Sequence, residues 1–144
     1  MKKLLVVFAL LVTGFLQAGS GKAIVPHWTS YDSNGQRSTL YISNITGNDL
    51  EVTVTFYSNT GTVIGSTDLT YTNWANSDTR VEAGETALVS VHKSTWDYGY
   101  AVIEWNNIST DDNAVGLVAH AFYSVSDADR YGRYAIPINL GQPF

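Results

Sequence analysis

The sequence predicts an all-β protein built as a sandwich of two antiparallel sheets. Three observations support this fold class. Branched and aromatic residues, which suit a pleated strand, are concentrated in seven or eight short runs separated by turn-forming residues. Several runs alternate apolar and polar side chains with a period of two, and none shows a sustained helical period with caps. Short strands of this number in about 120 residues are typical of a sandwich.

The first stretch, residues 1–23, is predicted to be a secretory signal peptide. Lys2 and Lys3 precede the apolar run LLVVFALLVTGFL, which is too short to span a bilayer comfortably, and small residues follow it. Cleavage after Ala18 or after Ala23 satisfies the small-residue rule, and the sequence favours Ala23. Residues 24–144 then form one secreted or periplasmic domain without a membrane span.

The predicted mature chain is acidic and lacks cysteine. The formal net charge of the whole chain is −5, and loss of Lys2, Lys3 and Lys22 with the leader makes it −8. So few basic residues cannot neutralise many phosphates, and nucleic acid is therefore not an expected partner. Without a disulfide, stability must come from core burial and from assembly.

The first half of the mature chain contains three predicted strands. Residues 24–30 (IVPHWTS) form an edge strand, because Pro26 lacks the N–H that an interior strand needs. The Asn34-Gly35 turn leads to a strand at 39–43. Residues 50–58 show the cleanest alternation, which places Leu50, Val52, Val54 and Phe56 on the buried face.

The second half contains shorter and more polar segments around a strongly apolar centre. Pro137 makes the last strand an edge strand. The predicted elements around the centre are a weak strand at 63–64, a long loop at 65–80 with one short strand, a short strand near 81, a strand at 86–92 and a last strand at 134–140.

The centre consists of two apolar runs, 98–105 (YGYAVIEW) and 114–126 (AVGLVAHAFYSVS), joined by NNISTDDN. Both faces of each run are largely apolar, which indicates strands buried on both sides or lying at a subunit interface. We expect them to form a hairpin at the centre of the core. An immunoglobulin-like sandwich is the first choice of architecture, with a jelly roll or small barrel as alternatives.

The order IVPHW, TLYISNITGNDLEVTVTFYS, VEAGETALVSV, YGYAVIEW and VGLVAHA resembles the strand order of the sensory rhodopsin transducer family. Members of that family are small bacterial β-sandwich proteins that assemble as tetramers. The resemblance covers residues 24–123 and depends on hydrophobic spacing and an asparagine turn. It implies a sandwich that oligomerises, with no catalytic residues to transfer. Family members are cytosolic, whereas this chain carries a predicted export signal.

No constellation of residues indicates catalysis, a metal site or a cofactor. The three histidines, His27, His92 and His120, lack metal-ligand spacing, and His120 is predicted to be a core or interface residue. Glu104 has no second carboxylate at a defined distance, and no GxSxG motif occurs. The acids of the late loops, Asp111, Asp112, Asp127 and Asp129, are predicted to be solvated turn residues, with calcium binding as the alternative.

Aromatic residues in or beside polar connections are the more informative signal. Such rings, with an apolar body and a polar tip, suit a binding surface, and they equally suit the ends of a sandwich. The candidate ligand-binding residues are Trp28, Tyr31, Trp74, Trp96 and Tyr98. Two asparagines in glycosylation sequons, Asn44 and Asn107, are predicted to be turn residues.

These observations predict a non-enzymatic, exported binding or assembly module that forms a homo-oligomer. Its assembly is expected to use the apolar strands and the edge strands that carry Pro26 and Pro137. A protein or a glycan is a possible further partner. The alternatives are a carbohydrate-binding protein that uses exposed aromatic residues, and a structural subunit of a pilus or cell surface.

Overall fold

A computed structural model describes residues 19–108, 110–127 and 130–144. The helical segments of this part of the chain are three short 3-10 turns, and none has the length and hydrophobicity that a membrane span requires. The strands are β1 (Ser20–Ser30), β2 (Arg37–Asn44), β3 (Leu50–Ser58), β4 (Leu69–Thr72), β5 (Arg80–Val81), β6 (Thr86–Val91), β7 (Asp97–Asn107), β8 (Leu117–Asp127) and β9 (Arg130–Pro137).

These strands form two antiparallel sheets that pack against each other, so the predicted all-β sandwich is confirmed. A four-stranded sheet has the order β1-β7-β3-β5, and a five-stranded sheet has the order β4-β6-β2-β8-β9. Every named pair of strands is antiparallel. The immunoglobulin-like detail stays a prediction.

The core lies between the sheets and is filled by alternate residues of the strands. In β3, Leu50, Val52, Val54 and Phe56 are buried, as the period-two pattern predicts. The largest fully buried side chains are Trp28 and Trp105, which lie on adjacent strands of the four-stranded sheet. Fully burying an aliphatic or aromatic side chain contributes about 1.5–3 kcal/mol each, so this layer supplies stability without a disulfide.

The expected central hairpin is wrong. β7 pairs with β1 and β3 in the four-stranded sheet, whereas β8 pairs with β2 and β9 in the five-stranded sheet. The link between them therefore crosses from one sheet to the other. Each strand has two neighbours in its own sheet, which explains why both runs are rich in strand-forming apolar residues.

The two proline-containing strands lie at sheet edges, as predicted. β1 and β9 are outermost in their sheets, and Pro26 falls in a register shift of β1 between Val25 and Trp28. The predicted strand at 63–64 is instead a single bridge between Tyr57 and Val63. The expected short strand within 65–80 is β4.

The first strand begins at Ser20, ahead of the preferred start of the mature domain. Residues Ser20, Gly21, Lys22 and Ala23 pair in register with residues of β7, and Ala23 is buried. The fold therefore uses residues that cleavage after Ala23 would remove.

Candidate functional site

The outer face of the four-stranded sheet carries a cluster of exposed and half-buried apolar side chains. Ala101 and Ile103 of β7 point into the core. Because side chains alternate along a strand, Tyr98, Tyr100 and Val102 point outward. We call this surface the aromatic face. It comprises Ile24, Tyr57, Val63, Trp96, Tyr98, Tyr100 and Val102.

Strand register brings these residues together from distant parts of the sequence. Tyr100 of β7 is paired with Tyr57 of β3, which in turn is bridged to Val63. One step further along β7, Val102 is paired with Ile24 of β1. Cross-strand neighbours point to the same side of a sheet, so these five residues share the outer face. Tyr98 is on the same side of β7 as Tyr100 by alternation, and Trp96 joins the surface through its ring contact with Tyr98.

Two pairs of rings organise the aromatic face. The rings of Tyr57 and Tyr100 are stacked, with centroids 4.8 Å apart and an interplanar angle of 11°. The rings of Trp96 and Tyr98 lie 4.9 Å apart with a tilt of 34°. Trp96 is 60% exposed, so one ring contact still leaves most of its indole open to solvent. Large exposed apolar groups of this kind are typical of binding surfaces.

Beyond Val102, the same outer face becomes polar. Glu104 accepts a hydrogen bond of 3.0 Å from Lys22, and Thr53 lies opposite Glu104 on β3. Both charged side chains are about half exposed, so this ion pair stabilises the protein little but marks the boundary of the apolar surface.

Trp28 does not belong to this surface, and its assignment as an exposed ligand-binding residue is wrong. Its side chain is 0% exposed and lies edge-on against Phe56, with ring centroids 6.1 Å apart. Its indole N–H donates to the carbonyl oxygens of Tyr57 and Tyr100, at 2.9 and 3.0 Å. Trp28 therefore supports the aromatic face from beneath, because it holds the backbone of the stacked tyrosine pair.

The other four candidate aromatics are not all in one place. Trp96 and Tyr98 are in contact, and Tyr31 follows Ser30, the last β1 residue paired with β7. Trp74 is half-buried and separate from them: its indole N–H donates to the Leu88 carbonyl of β6 at 2.7 Å. Three of the five candidates thus cluster at one end of the four-stranded sheet.

The contacts of Trp74 are those of a residue that packs the edge of the core. Tyr71 meets it edge-on, with centroids 5.4 Å apart, and both rings pack against the core. Burial, and to a lesser extent the nearby carboxylate of Asp78, raises the pKa of the Tyr71 hydroxyl above its ordinary value. A shallow hollow beside Trp74 is lined by Asn73, Glu82 and Glu85, and Asn73 donates to Glu85 at 3.1 Å.

The five-stranded sheet has its own stacked pair on its outer face. Tyr41 of β2 and His120 of β8 lie 5.0 Å apart with an interplanar angle of 3°. His120 is exposed, so a core position is wrong for it, whereas a place at an interface stays a prediction. In the same sheet, the rings of Tyr123 on β8 and Tyr134 on β9 lie 4.8 Å apart. Partial burial, and to a lesser extent the electrostatic interaction with Tyr134, raises the pKa of the Tyr123 hydroxyl.

The described residues contain no group of three or more His, Asp or Glu side chains placed to hold a metal ion. Asp129, one of the acids considered for calcium, lies outside the described residues. Glu104 is open to solvent and paired with Lys22. The closest carboxylate to it by register is Glu51, diagonally across β3 and β7. The open hollow beside Glu104 is lined by Lys22, Thr53 and Asn106 among others, and Glu104 is the one carboxylate in that lining.

Both sequon asparagines are buried and end strands, Asn44 in β2 and Asn107 in β7, so they immediately precede turns rather than lying in them. Asn44 donates its amide N–H groups to the carbonyl oxygens of Asn48, Val81 and Glu82. Asn107 donates to the Asn113 carbonyl at 3.0 Å. A glycan on either side-chain nitrogen would disrupt these hydrogen bonds in the folded protein.

Sequence reasoning missed the centre of the aromatic face. Alternation along β3 predicts that Tyr57 faces solvent, and the two apolar faces of the run 98–105 predict that Tyr100 and Val102 are buried on both sides or lie at a subunit interface. The sequence signal for this surface is the apolar character of both faces of β7. Which residues surround Tyr100 and Val102 follows only from the strand order, in which β1 and β3 flank β7.

Comparison of the chain with known protein families, with curated proteins and with solved structures gave no match. The resemblance to the sensory rhodopsin transducer family therefore stays a prediction, and the geometry of the faces carries the argument below.

Proposed function

We propose that this protein is a non-enzymatic, exported binding module that self-associates through the aromatic face, with a second copy of the chain as its partner. The observation that carries this proposal is the concentration of large exposed apolar side chains on one sheet face. Four of the eight such residues in the described chain belong to it: Ile24, Val63, Trp96 and Tyr100.

Charge supports contact between two copies at this face. The full chain has a net charge of −5, and a leader that carries Lys2 and Lys3 removes positive charge, so two exported copies are acidic and repel each other over most of their surface. On the outer side of the four-stranded sheet, however, none of the seven residues of the aromatic face is charged. At the polar end of the sheet face, Glu104 is paired with Lys22, whereas Glu51 lies opposite Arg80, whose ion pair is with Asp49 at 3.8 Å. The aromatic face itself therefore adds no charge repulsion.

The sheet edges are poorly suited to the same role, which modifies the expectation of assembly through the proline-containing strands. Pro26 and the register shift interrupt the free edge of β1, and Pro137 lies on β9. The opposite edges, β5 and β4, are only two and four residues long. Natural sheets use prolines, bulges and short strands to prevent edge pairing, so face packing is the better-supported mode.

The size of the face predicts a weak association. Three strands about 4.8 Å apart and, from Trp96 to Val102, roughly 23 Å long give a projected area of about 330 Å². A standard interface buries about 800 Å² of accessible surface per partner. We therefore expect a dissociation constant on the order of micromolar.

We expect Ile24→Asp to weaken self-association at least tenfold, since it places an unpaired charge in an apolar contact. Ile45→Asp is the matched control, because Ile45 is 51% exposed, compared with 60% for Ile24, but lies in the β2–β3 turn. Sedimentation velocity of the exported protein between 1 and 100 micromolar, as a rough range that brackets a weak dimer, measures the effect. A concentration-independent monomer, or equal behaviour of the two variants, would contradict the proposal.

The exposure of Trp96 favours one second candidate, carbohydrate binding at the end of the aromatic face. An open indole beside Tyr98 suits stacking against the apolar face of a sugar. If this is the function, a glycan panel should identify a ligand that changes tryptophan fluorescence. Measured by titration calorimetry, which does not use the indole as reporter, Trp96→Ala should then weaken binding of that ligand at least tenfold, while Trp74→Phe leaves it unchanged. A panel without a response eliminates this candidate and leaves the assembly proposal standing.

A further inference from the structure

We infer that the export signal is removed between Ala18 and Gly19, so that the mature chain begins at Gly19 rather than Ile24. The inference depends on Gly19–Ala23, which the sequence alone assigned to the leader. It does not depend on the proposed self-association.

Residues 20–23 form part of the folded sheet. Each has a partner on β7, from Ser20 opposite Asn106 to Ala23 opposite Ile103. Lys22 also makes the ion pair with Glu104. Cleavage after Ala23 would remove the first four residues of an eleven-residue edge strand and expose the ladder groups of β7 that they cover.

Gly19 also makes specific contacts with the folded domain. Its carbonyl oxygen accepts a 3.0 Å hydrogen bond from the backbone N–H of Asn107. A Cβ atom at this position would collide with the carbonyl oxygen of Asn113, so the contact requires glycine. The fold thus begins to constrain the chain at Gly19.

Core packing supports the same boundary. Ala23 is buried in the main apolar cluster, and a Cβ atom at Gly21 would collide with the indole of Trp105. The sequence following Ala18 is therefore specific for close packing in β1. A small residue at 18 also satisfies the requirement of the processing peptidase immediately before the cut.

The reaction is hydrolysis of one peptide bond by a membrane-associated signal peptidase. Water supplies a hydroxyl group to the carbonyl carbon of Ala18 and a proton to the nitrogen of Gly19. The leader leaves with a new carboxyl terminus, and the mature chain retains Lys22.

The test is expression of the full chain in a bacterial host and measurement of the intact mass of the exported protein within minutes of synthesis, before slower trimming. We expect a chain that starts at Gly19. A chain that starts at Ile24, or one that retains residues 1–18, would overturn the inference.

Two variants separate this site from the alternative. Ala18→Phe puts a bulky residue immediately before the cut and should lower the amount of mature protein at least tenfold, with accumulation of the precursor. Gln17→Phe is the matched control, since the middle position of an A-x-A-like cleavage site is unrestricted, and it should be processed like the original chain. In this chain Ala18 is the small residue immediately before the cut, and Leu16 occupies the other recognised position. Unchanged processing of Ala18→Phe would overturn the inference.

Discussion

Trp28→Ala is expected to lower the free energy of unfolding by about 4 kcal/mol, the range measured for large aromatic side chains removed from protein cores. Trp28 is fully buried and packs edge-on against Phe56. Its removal leaves a cavity between the sheets and takes the shared N–H donor from the carbonyls of Tyr57 and Tyr100. Equilibrium urea denaturation measures the loss.

Two further variants separate packing from hydrogen bonding at this site. Trp28→Phe keeps an aromatic ring but has no N–H, and leaving buried carbonyls without their donor should cost about 2 kcal/mol. Trp96→Ala is the surface control, and it should change stability by less than about 1 kcal/mol because the indole is mostly exposed. Similar losses for Trp28→Ala and Trp96→Ala would show that Trp28 is not a core residue.

Asn44→Asp is the second substitution with a large expected effect, about 3 kcal/mol of destabilisation at neutral pH. Asn44 ends β2 in the five-stranded sheet, and its amide nitrogen lies 3.0 Å from the carbonyl oxygen of Val81 in the four-stranded sheet. The same nitrogen also donates to Asn48 and Glu82, at 2.8 and 3.2 Å. A carboxylate there would direct negative charge at three carbonyl oxygens.

The loss of unfolding free energy caused by Asn44→Asp should be larger at neutral pH than at acidic pH. The carbonyls raise the pKa of the introduced carboxyl group in the folded state above its unfolded value of about 4. The penalty is therefore complete above the folded-state pKa and shrinks as the pH falls through it. The measurement is urea denaturation of the variant and the parent at about pH 7 and near pH 4. The difference in free energy of unfolding between the two proteins should be smaller at the lower pH.

Asn48→Asp is the matched control for this prediction. Asn48 is exposed and lies in the turn that follows Asn44. In the described contacts it is the backbone carbonyl of Asn48, not its side chain, that accepts a hydrogen bond from Asn44. The same change of amide to carboxylate should therefore cost less than about 1 kcal/mol, with little pH dependence. If the two aspartate variants lose equal stability, Asn44 does not act as a tether between the sheets.

Part of the candidate site could be predicted from local residue types. Trp96 and Tyr98 were identified because aromatic side chains flank the polar segment before β7, and both are on the aromatic face. Trp28 has a similar polar setting in the sequence, next to His27 and Thr29, yet it is buried. The difference arises from the register shift of β1 near Pro26 and from pairing with β7, neither of which a linear pattern reveals.

By itself, the sequence determined the fold class and the direction of many side chains. Alternation assigned the buried and exposed residues of β3, and the prolines placed β1 and β9 at edges, because strand stereochemistry and a missing N–H act locally. Only the tertiary structure decided which strands are neighbours. It put β7 and β8 in different sheets and gathered Ile24, Tyr57 and Tyr100 on one surface, since pairing depends on packing between residues far apart in the chain.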